Sequence, residues 1–141
     1  IEPKEAATAL TNDTQSWNSS LNARLITATE VAKITGNTSF NGETSTSGSW
    51  FYLDSNNQTQ TATTQGASKY SWLFDYTNGC INYGCNIVDS SNYGYWTNSA
   101  YAGNSSRAWR VSRLGYLGDY SVDDTGLGIR PVITISKNVI S

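Results

Sequence analysis

Short segments in which apolar and polar residues alternate fill the C-terminal half of the chain. Four of them, "GYWTNSA", "RAWRVS", "GYLGDYSV" and "GIRPVITIS", lie between residues 94 and 136 and are separated by glycine, asparagine, serine and aspartate. Alternation with a period of two, bounded by turn residues, is typical of half-buried β-strands. We therefore predict four short strands here, preceded by a strand-like segment "SWFYL" and an aromatic segment "KYSWLFDY".

A helical spacing of apolar residues occurs earlier, in "RLITATEVAKITG". Thr27 can cap a helix, Glu30 stands three residues later as its capping-box partner, and Gly36 can end the helix. Val31 and Ile34 follow each other at helical spacing. The segment therefore predicts one short helix that packs on a sheet.

The order of these segments predicts the fold class and the domain boundaries. A chain of 141 residues is long enough for one domain with its own core. The opening "EPKEAATAL" indicates either a second helix or the tail of a longer one, so residues 1–22 are interpreted as an N-terminal extension. Residues 23–141 are then the domain, with a helix first and strands afterwards, which is an α+β arrangement.

The segment from residue 108 to residue 136 combines a regular apolar framework with polar residues in no chemical order. Framework residues are expected to be buried and the others to project outward. The predicted core comprises Trp50, Trp72, Trp96, Trp109, Val111, Leu117, Val122, Ile129, Val132 and Ile133. The tyrosines expected to face solvent are Tyr93, Tyr101, Tyr116 and Tyr120. The run "GDYS" at residues 118–121 is interpreted as a turn or loop tip.

The charge pattern excludes some partners. The net charge is −2 and only 14% of the residues are charged, whereas nucleic-acid-binding domains usually carry a basic face. On a strand, Arg110 would point away from Arg107 and Arg113. We therefore expect no nucleic-acid partner, and no membrane insertion, because no apolar run is long enough to cross a bilayer. The start at Ile1 and the lack of methionine suggest a mature or excised fragment, which leaves open an upstream signal or anchor.

Candidates for catalytic chemistry are few. The chain has no histidine, which removes the Ser-His and Cys-His pairs. Asp123 and Asp124 are adjacent, so on a strand they would face opposite ways instead of converging across a cleft. We expect no enzymatic activity and no cofactor. A calcium-dependent sugar site near "WTN" is the weaker alternative, because Ca²⁺ needs about six or more oxygen ligands, several of them charged.

The two cysteines point to an oxidising compartment. Cys80 and Cys85 lie in "NGCINYGCN", among Asn and Gly residues that favour turns. We predict a disulfide that closes this short loop, which mass spectrometry of the alkylated, non-reduced protein would detect. Together with the abundance of Asn, Ser, Thr, Gly and Tyr, it predicts an extracellular location at a surface.

A gap in the amino-acid usage separates the two halves of the chain. Residues 1–69 contain three Lys, four Glu and four Gln, whereas residues 70–136 contain none of these and no Met. These residue types are encoded only by codons that end in a purine. Codons AAC or AAT randomised at their adenines could never produce them, but could produce every polar filler between residues 110 and 127. A sheet with many turns that simply avoids these residues is the alternative explanation.

This pattern resembles the variable proteins of diversity-generating retroelements, in which adenine-directed mutagenesis rewrites a C-terminal segment. The framework "AW.V...G.L....V..T..GIRPVI", with "YGYWTNSA" before it and "ARLITATEVAKITG" near the start, is also similar to bacterial surface domains with a C-type-lectin-like fold. The resemblance spans Ala23 to Ser136, and "GYWTNSA" and "GIRPVI" are its strongest motifs. The reactive cysteines of the enzymes that share this fold, and the acid-rich calcium motifs of animal C-type lectins, are absent from the sequence.

The resemblance implies short helices packed on small antiparallel sheets with long loops, and a diversified face over about residues 92–127. Such a domain would bind a protein or glycan ligand on another cell or host surface, as part of a larger displayed or fibre protein, on a cell or a phage tail. The implied ligand-binding residues are Asn92, Tyr93, Tyr101, Asn104, Arg110, Ser112, Arg113, Leu114, Tyr116, Gly118, Asp119, Tyr120, Ser121, Asp123, Asp124, Gly126 and Leu127. An ordinary adhesin or pilin-like subunit of the same fold is the main rival, followed by a calcium-dependent lectin.

Overall fold

The computed structural model describes residues 8, 10–12, 15–16, 23–36, 40, 42–44, 51–52, 70–73, 94–113, 115–124, 126–135 and 137–139. In chain order the elements are β1 (Arg24–Leu25), α1 (Ala28–Thr35), β2 (Phe51–Tyr52), a 3-10 helix (Ser71–Leu73), β3 (Gly94–Ala100), β4 (Arg107–Ser112), β5 (Tyr116–Ser121), β6 (Pro131–Val132) and a second 3-10 helix (Lys137–Val139). Short helices and small antiparallel sheets confirm the α+β class.

Helix α1 begins and ends at the predicted residues. The Thr27 hydroxyl accepts a hydrogen bond from the Glu30 amide at 3.1 Å, and the Glu30 carboxylate accepts one from the Thr27 amide at 2.9 Å. Gly36 ends the helix with φ +66°, in the left-handed region that favours glycine. Val31 is fully buried while Ile34 is exposed, so one face of the helix packs on β3 and β4.

The N-terminal segment is helical where it is described, at residues 8, 10–12 and 15–16. Leu10 is half-buried and packs against a core cluster that includes Leu25 and Trp96. This contact joins the segment to the residues that follow it. The division of the chain at residue 22 stays a prediction.

The larger sheet has four antiparallel strands in the order β2-β5-β4-β3. Strands β3 and β4 match "GYWTNSA" and "RAWRVS", and β5 lies within "GYLGDYSV", so these three strand predictions are confirmed. The interpretation of residues 118–121 as a turn is wrong, because all four residues lie in β5. The chain reverses earlier, where the Gly115 amide donates to the Ser112 carbonyl at 3.0 Å and Gly115 takes φ +84°.

A second sheet pairs β1 with β6, so that the two ends of the domain meet. Of the described residues of the fourth predicted strand, "GIRPVITIS", those of β6 form a strand and Gly128 forms an isolated bridge with Tyr95. Next to this sheet, the outer edge of β3 is also bonded: Trp96 donates to the Gly128 carbonyl at 3.2 Å and Asn98 to the Ile26 carbonyl at 2.8 Å. These bonds attach the small sheet to the large one.

Apolar residues cover both faces of the large sheet. On the helix face, Trp109, Val111 and Leu117 are fully buried in a cluster that includes α1. On the opposite face, Trp96 and Ala108 are buried in a second cluster with Leu25 and Leu127. The prediction that the framework residues Trp96, Trp109, Val111 and Leu117 form the core is confirmed.

Other core predictions fail at the edges of the domain. Trp72 is 59% exposed and Ile133 is 41% exposed. Trp72 lies in a 3-10 helix and Ile133 follows the short strand β6, so neither is held between two layers of structure. The half-buried framework residues are Val122, Ile129 and Val132. Trp50 lies outside the described residues.

An ion pair at the start of α1 predicts acid sensitivity. The Arg24 guanidinium donates to both carboxylate oxygens of Glu30, at 2.8 and 2.6 Å. Hydrogen bonding from Arg24, and less from Thr27, lowers the pKa of Glu30 from 4.5 to about 2, although partial burial acts in the opposite direction.

Because the pKa is lowered in the folded chain, this stabilisation is complete above pH 4.5 and lost as the pH falls towards 2. Chemical denaturation of the Glu30→Gln variant should give a smaller free energy of unfolding than wild type at pH 7, and the gap should close between pH 4.5 and 2. A gap of constant size would contradict the prediction. Thr29→Ala, which removes no titratable group, is the control.

Candidate ligand-binding surface

Five of the implied ligand-binding residues share one face of the β4–β5 hairpin. Arg110 is paired with Gly118, and Ala108 with Tyr120. Because side chains alternate along a strand and paired residues share a face, Ser112 and Tyr116 lie on the same face. This is the opposite face of the sheet, the one that does not carry α1. Asp119 and Ser121 pair with Trp109 and Arg107 and so lie on the other face. The fillers therefore alternate with the framework along β4 but not along β5.

Arg110 is the centre of this group. Its guanidinium carbon lies 4.1 Å from the ring centroid of Tyr120 and 5.7 Å from that of Tyr116, and Nη2 donates to the Tyr116 hydroxyl at 3.2 Å. Gly118, directly opposite on β5, has no side chain to occupy this space. Burial lowers the pKa of Arg110, while Tyr116, Tyr120, Asp124 and Asp119 act weakly in the other direction.

The expectation that the implied residues project into solvent is wrong for seven of them. The buried residues are Tyr101, Arg110, Ser112, Tyr116, Gly118, Asp119 and Leu127. The opposite face of the sheet is itself covered, by Leu25 from β1 and by Leu127, with Leu10 packing on this cluster. On the helix face, the Tyr101 ring packs edge-on against Trp109 at 5.4 Å. These buried residues are therefore part of the packed interior of the domain.

Asp119 is buried with a cationic partner. The Arg107 guanidinium donates from Nε to the Asp119 carboxylate, and from Nη2 to the Asp119 carbonyl at 3.3 Å. The Arg107 side chain is 39% exposed and covers the nearly buried carboxylate. The pair joins β4 to β5 near the end of the sheet at which the turn before β4 and the turn after β5 lie side by side.

The implied residues that remain exposed or half-exposed are Asn104, Arg113, Tyr120, Ser121, Asp123, Asp124 and Gly126. All of them except Arg113 lie in two neighbouring segments, which we call the paired-turn surface (residues 104–106, 120–124 and 126). The Val122 amide donates to the Ser106 carbonyl at 3.0 Å and holds the segments together. Arg113 lies at the other end of the hairpin.

Short-range hydrogen bonds shape the paired-turn surface. Asn104 Oδ1 accepts from the amide of Ser106 at 2.9 Å and from its hydroxyl at 2.7 Å. Across the surface, Asp124 Oδ1 accepts from the Gly126 amide at 2.7 Å, and the Ser121 hydroxyl donates to Asp123. Such Asx turns fix the backbone while the polar side chains stay at the surface. The surface can therefore present hydrogen-bonding groups on a fixed backbone.

A cleft that the sequence did not predict lies at the start of β3. It has a volume of about 330 Å³, and its lining residues are Ile26, Trp72, Leu73, Tyr95, Arg130, Pro131 and Val132. The Arg130 guanidinium stacks at 4.6 Å from the Tyr95 ring centroid and donates to the carbonyls of Trp72 at 3.0 Å and Leu73 at 2.6 Å. Burial raises the pKa of Tyr95 to about 12, against the influence of Arg130.

Some predictions fall outside the described residues or are left untested. Asn92, Tyr93, Leu114, Cys80 and Cys85 lie outside the described part of the chain. Within that part, no group of three or more Cys, Asp or Glu side chains is placed to hold a metal ion. No described helix is both long and apolar enough to cross a bilayer.

The described residues thus define a small α+β domain that carries a polar surface of two joined turns and a separate cleft. The chain belongs to the DUF6273 family, a domain of unknown function, whose model matches residues 7–137. Neither a curated protein nor a solved structure matches the sequence.

Proposed function

We propose that this domain is a non-enzymatic recognition module of C-type-lectin-like fold that binds a protein or glycan ligand through the paired-turn surface. The observation that carries the proposal is the joining of two polar turns at one end of a sheet in which Trp96, Trp109, Val111 and Leu117 are fully buried. Binding residues are often placed on loops that a rigid scaffold holds in position. In this proposal the domain is displayed outside the cell, on a cell surface or a phage tail, as part of a larger protein.

The composition of the surface supports a binding role. It presents Tyr120, Ser121, Asp123 and Asp124 beside Asn104. Tyrosine provides a large contact area at a small entropic cost, and small polar side chains adapt their hydrogen bonds to the partner. Tyr120 is also supported from below by the Arg110 guanidinium, which restricts the ring before a ligand arrives.

We also propose that retroelement mutagenesis diversifies this surface. Support comes from the lack of Lys, Glu, Gln and Met between residues 70 and 136. Substitution at the exposed turns costs little stability, since surface changes usually fall within about 0.5 kcal/mol. Substitution of Arg110 or Tyr116 disturbs a packed layer. Diversity should therefore be tolerated mainly at the exposed and half-exposed fillers, which are Asn104, Tyr120, Ser121, Asp123, Asp124 and Gly126.

The gene provides a direct test of this origin. The codons at the filler positions from Arg110 to Leu127 should all end in C or T. The informative positions are those of Arg, Leu, Ser and Gly, such as Arg113, Ser121 and Gly126, because these residues also have codons that end in a purine. A near-copy of the segment, with AAC or AAT at the filler positions, should lie nearby together with a reverse-transcriptase gene. Several Arg, Leu, Ser or Gly codons ending in A or G at filler positions would rule out retroelement mutagenesis.

Burial of several implied residues favours a second candidate. Arg110, Ser112 and Tyr116 are buried, and side chains that pack inside a domain are poor targets for continual rewriting. An ordinary adhesin or pilin-like subunit would use the same paired-turn surface with a fixed sequence. Purine-ending codons at the filler positions would favour this candidate. The proposed binding surface would be the same.

A pair of display libraries tests the binding surface itself. The first randomises Asn104, Ser121, Asp123 and Asp124, and the matched second library randomises Arg110, Ser112, Tyr116 and Asp119. Both are selected for binding to lysozyme and to immobilised glycans. The first library should stay mostly folded, as judged by protease resistance, and should yield binders, whereas most of the second should unfold. Equal folding and equal recovery of binders from both libraries would contradict the proposed surface.

A further inference from the structure

Arg107 borders the paired-turn surface, although it is not one of the implied ligand-binding residues. It directly follows residues 104–106, and its partner on β5 is Ser121. The two side chains therefore lie next to each other on the helix face of the sheet. The Ser121 hydroxyl in turn donates to the Asp123 carboxylate. A guanidinium thus stands beside two polar side chains of this surface.

Asp119 uses only one side of the Arg107 guanidinium. Its carboxylate accepts from Nε, and its carbonyl oxygen accepts from Nη2 at 3.3 Å. An arginine carries five N–H groups in a rigid planar arrangement, so two on Nη1 and one on Nη2 are left over. In the described part of the chain nothing accepts a hydrogen bond from Nη1, and this atom is open to solvent. The side chain as a whole is 39% exposed.

The unused end of the guanidinium is held in position before any ligand binds. Two bonds to Asp119 fix the plane of the group, and the Asp119 side chain is itself only 9% exposed. A donor that is already fixed loses less freedom on binding than a mobile surface arginine. Arginine is also enriched among the residues that contribute most to binding at protein interfaces.

Geometry and charge together select the acceptor that suits this end. The fork formed by Nη1 and Nη2 matches a planar acceptor group. Asp119 already balances the charge of Arg107, and the exposed Asp123 adds negative charge nearby, which disfavours an anionic ligand group. A neutral carbonyl oxygen has two lone pairs for the two donors. Every polypeptide presents such oxygens along its backbone, whatever its sequence.

We propose that Arg107 anchors a protein ligand on the paired-turn surface by donating from Nη1 and Nη2 to a backbone carbonyl oxygen. The inference rests on the proposed recognition function and names the class of partner as protein. The polar side chains of the turns would distinguish one ligand from another, whereas Arg107 would contact a group that all protein ligands share.

Binders selected from the first library, in which Arg107 is unchanged, provide the test. Arg107→Lys is introduced into independently selected lysozyme binders and glycan binders. Lysine keeps a positive charge beside Asp119 but lacks the planar fork. In most lysozyme binders the affinity should fall about tenfold, as expected for loss of a hydrogen bond from a charged group, while glycan affinity should change little. Arg113→Lys, the same substitution at the other end of the hairpin, is the control and should leave both affinities unchanged.

The Nε–H NMR signal of Arg107 gives a second readout that needs no substitution. Adding lysozyme to a selected binder should shift this signal, whereas the Arg113 signal should stay in place. Equal affinity losses for the two lysine variants, or an unmoved Arg107 signal, would overturn the role of Arg107. An affinity loss confined to the glycan binders would overturn the assignment to a protein partner.

Failure of the proposed function gives a different result. The library would then yield no lysozyme binder at all, and the role of Arg107 would fall with it. If Arg107→Lys does not fold, as judged by protease resistance, the shift of the Arg107 signal decides alone.

Discussion

Replacement of Trp109 by alanine is expected to lower the free energy of unfolding by about 3–5 kcal/mol, the range for truncation of a buried large aromatic residue. Trp109 has no exposed surface and lies on β4, one of the two inner strands of the large sheet. Its ring meets Phe40 edge-on at 5.2 Å and Tyr101 at 5.4 Å. The truncation would leave a cavity between α1 and the sheet that these neighbours cannot fill without moving.

Urea denaturation of the purified domain measures this effect, and a second tryptophan provides the control. Trp72→Ala removes the same side chain from a position that is 59% exposed. Its cost should be at most about 1 kcal/mol, since most of the indole is already in water. Similar losses for the two variants would mean that the core does not centre on Trp109.

Replacement of Gly94 by alanine is expected to be as damaging, for a different reason. A Cβ atom at this position would lie 2.0 Å from the Val111 carbonyl oxygen and 3.0 Å from the Ser112 Cα atom, both backbone atoms of β4. Gly94 also has φ +129°, a conformation that alanine rarely adopts. The first residue of β3 would have to separate from β4, at a cost of about 4 kcal/mol or more.

Gly36→Ala is the matched control for this substitution. Gly36 also has a positive φ, +66°, but a Cβ atom there would meet no atom within 4 Å. Its cost should be limited to about 1–2 kcal/mol of backbone strain. Thermal unfolding of both variants should therefore separate the steric clash at Gly94 from the conformational cost that the two sites share. A smaller loss for Gly94→Ala than for Gly36→Ala would contradict the packing of β3 on β4.

Local features of the sequence predicted helix α1 and three of the strands well. Thr27, Glu30 and Gly36 identify the ends of α1, because capping depends on residues within one turn of the helix. The period-two pattern identified β3, β4 and β5, because alternation is a property of the strand itself. Both signals can be read without knowledge of what packs against the element.

Burial could not be read in this way where the covering residues come from elsewhere in the chain. The alternation predicts that Arg110 and Tyr116 lie on the face of the sheet opposite α1. It could not predict that Leu25 and Leu127, from distant parts of the chain, cover this opposite face. The run at residues 118–121 has the composition of a turn. Gly118 stands in a strand because Arg110 occupies the space opposite it.

The cleft could not have been predicted for the same reason. Trp72, Tyr95 and Arg130 come from three segments that only the folded chain brings together. Trp72 was expected in the core because large apolar residues are usually buried. Trp72 is exposed because its 3-10 helix lies at the edge of the domain, where the Arg130 side chain bonds to the helix backbone.

The bonding along the outer edge of β3 bears on how copies of this domain behave at high local density. Open strand edges invite pairing with a neighbouring chain and can lead to aggregation. Trp96 and Asn98 already donate their backbone amides to Gly128 and Ile26. At the other edge of the sheet, β2 comprises two residues in the described part of the chain. Many copies could therefore be crowded side by side in an array without their sheets merging.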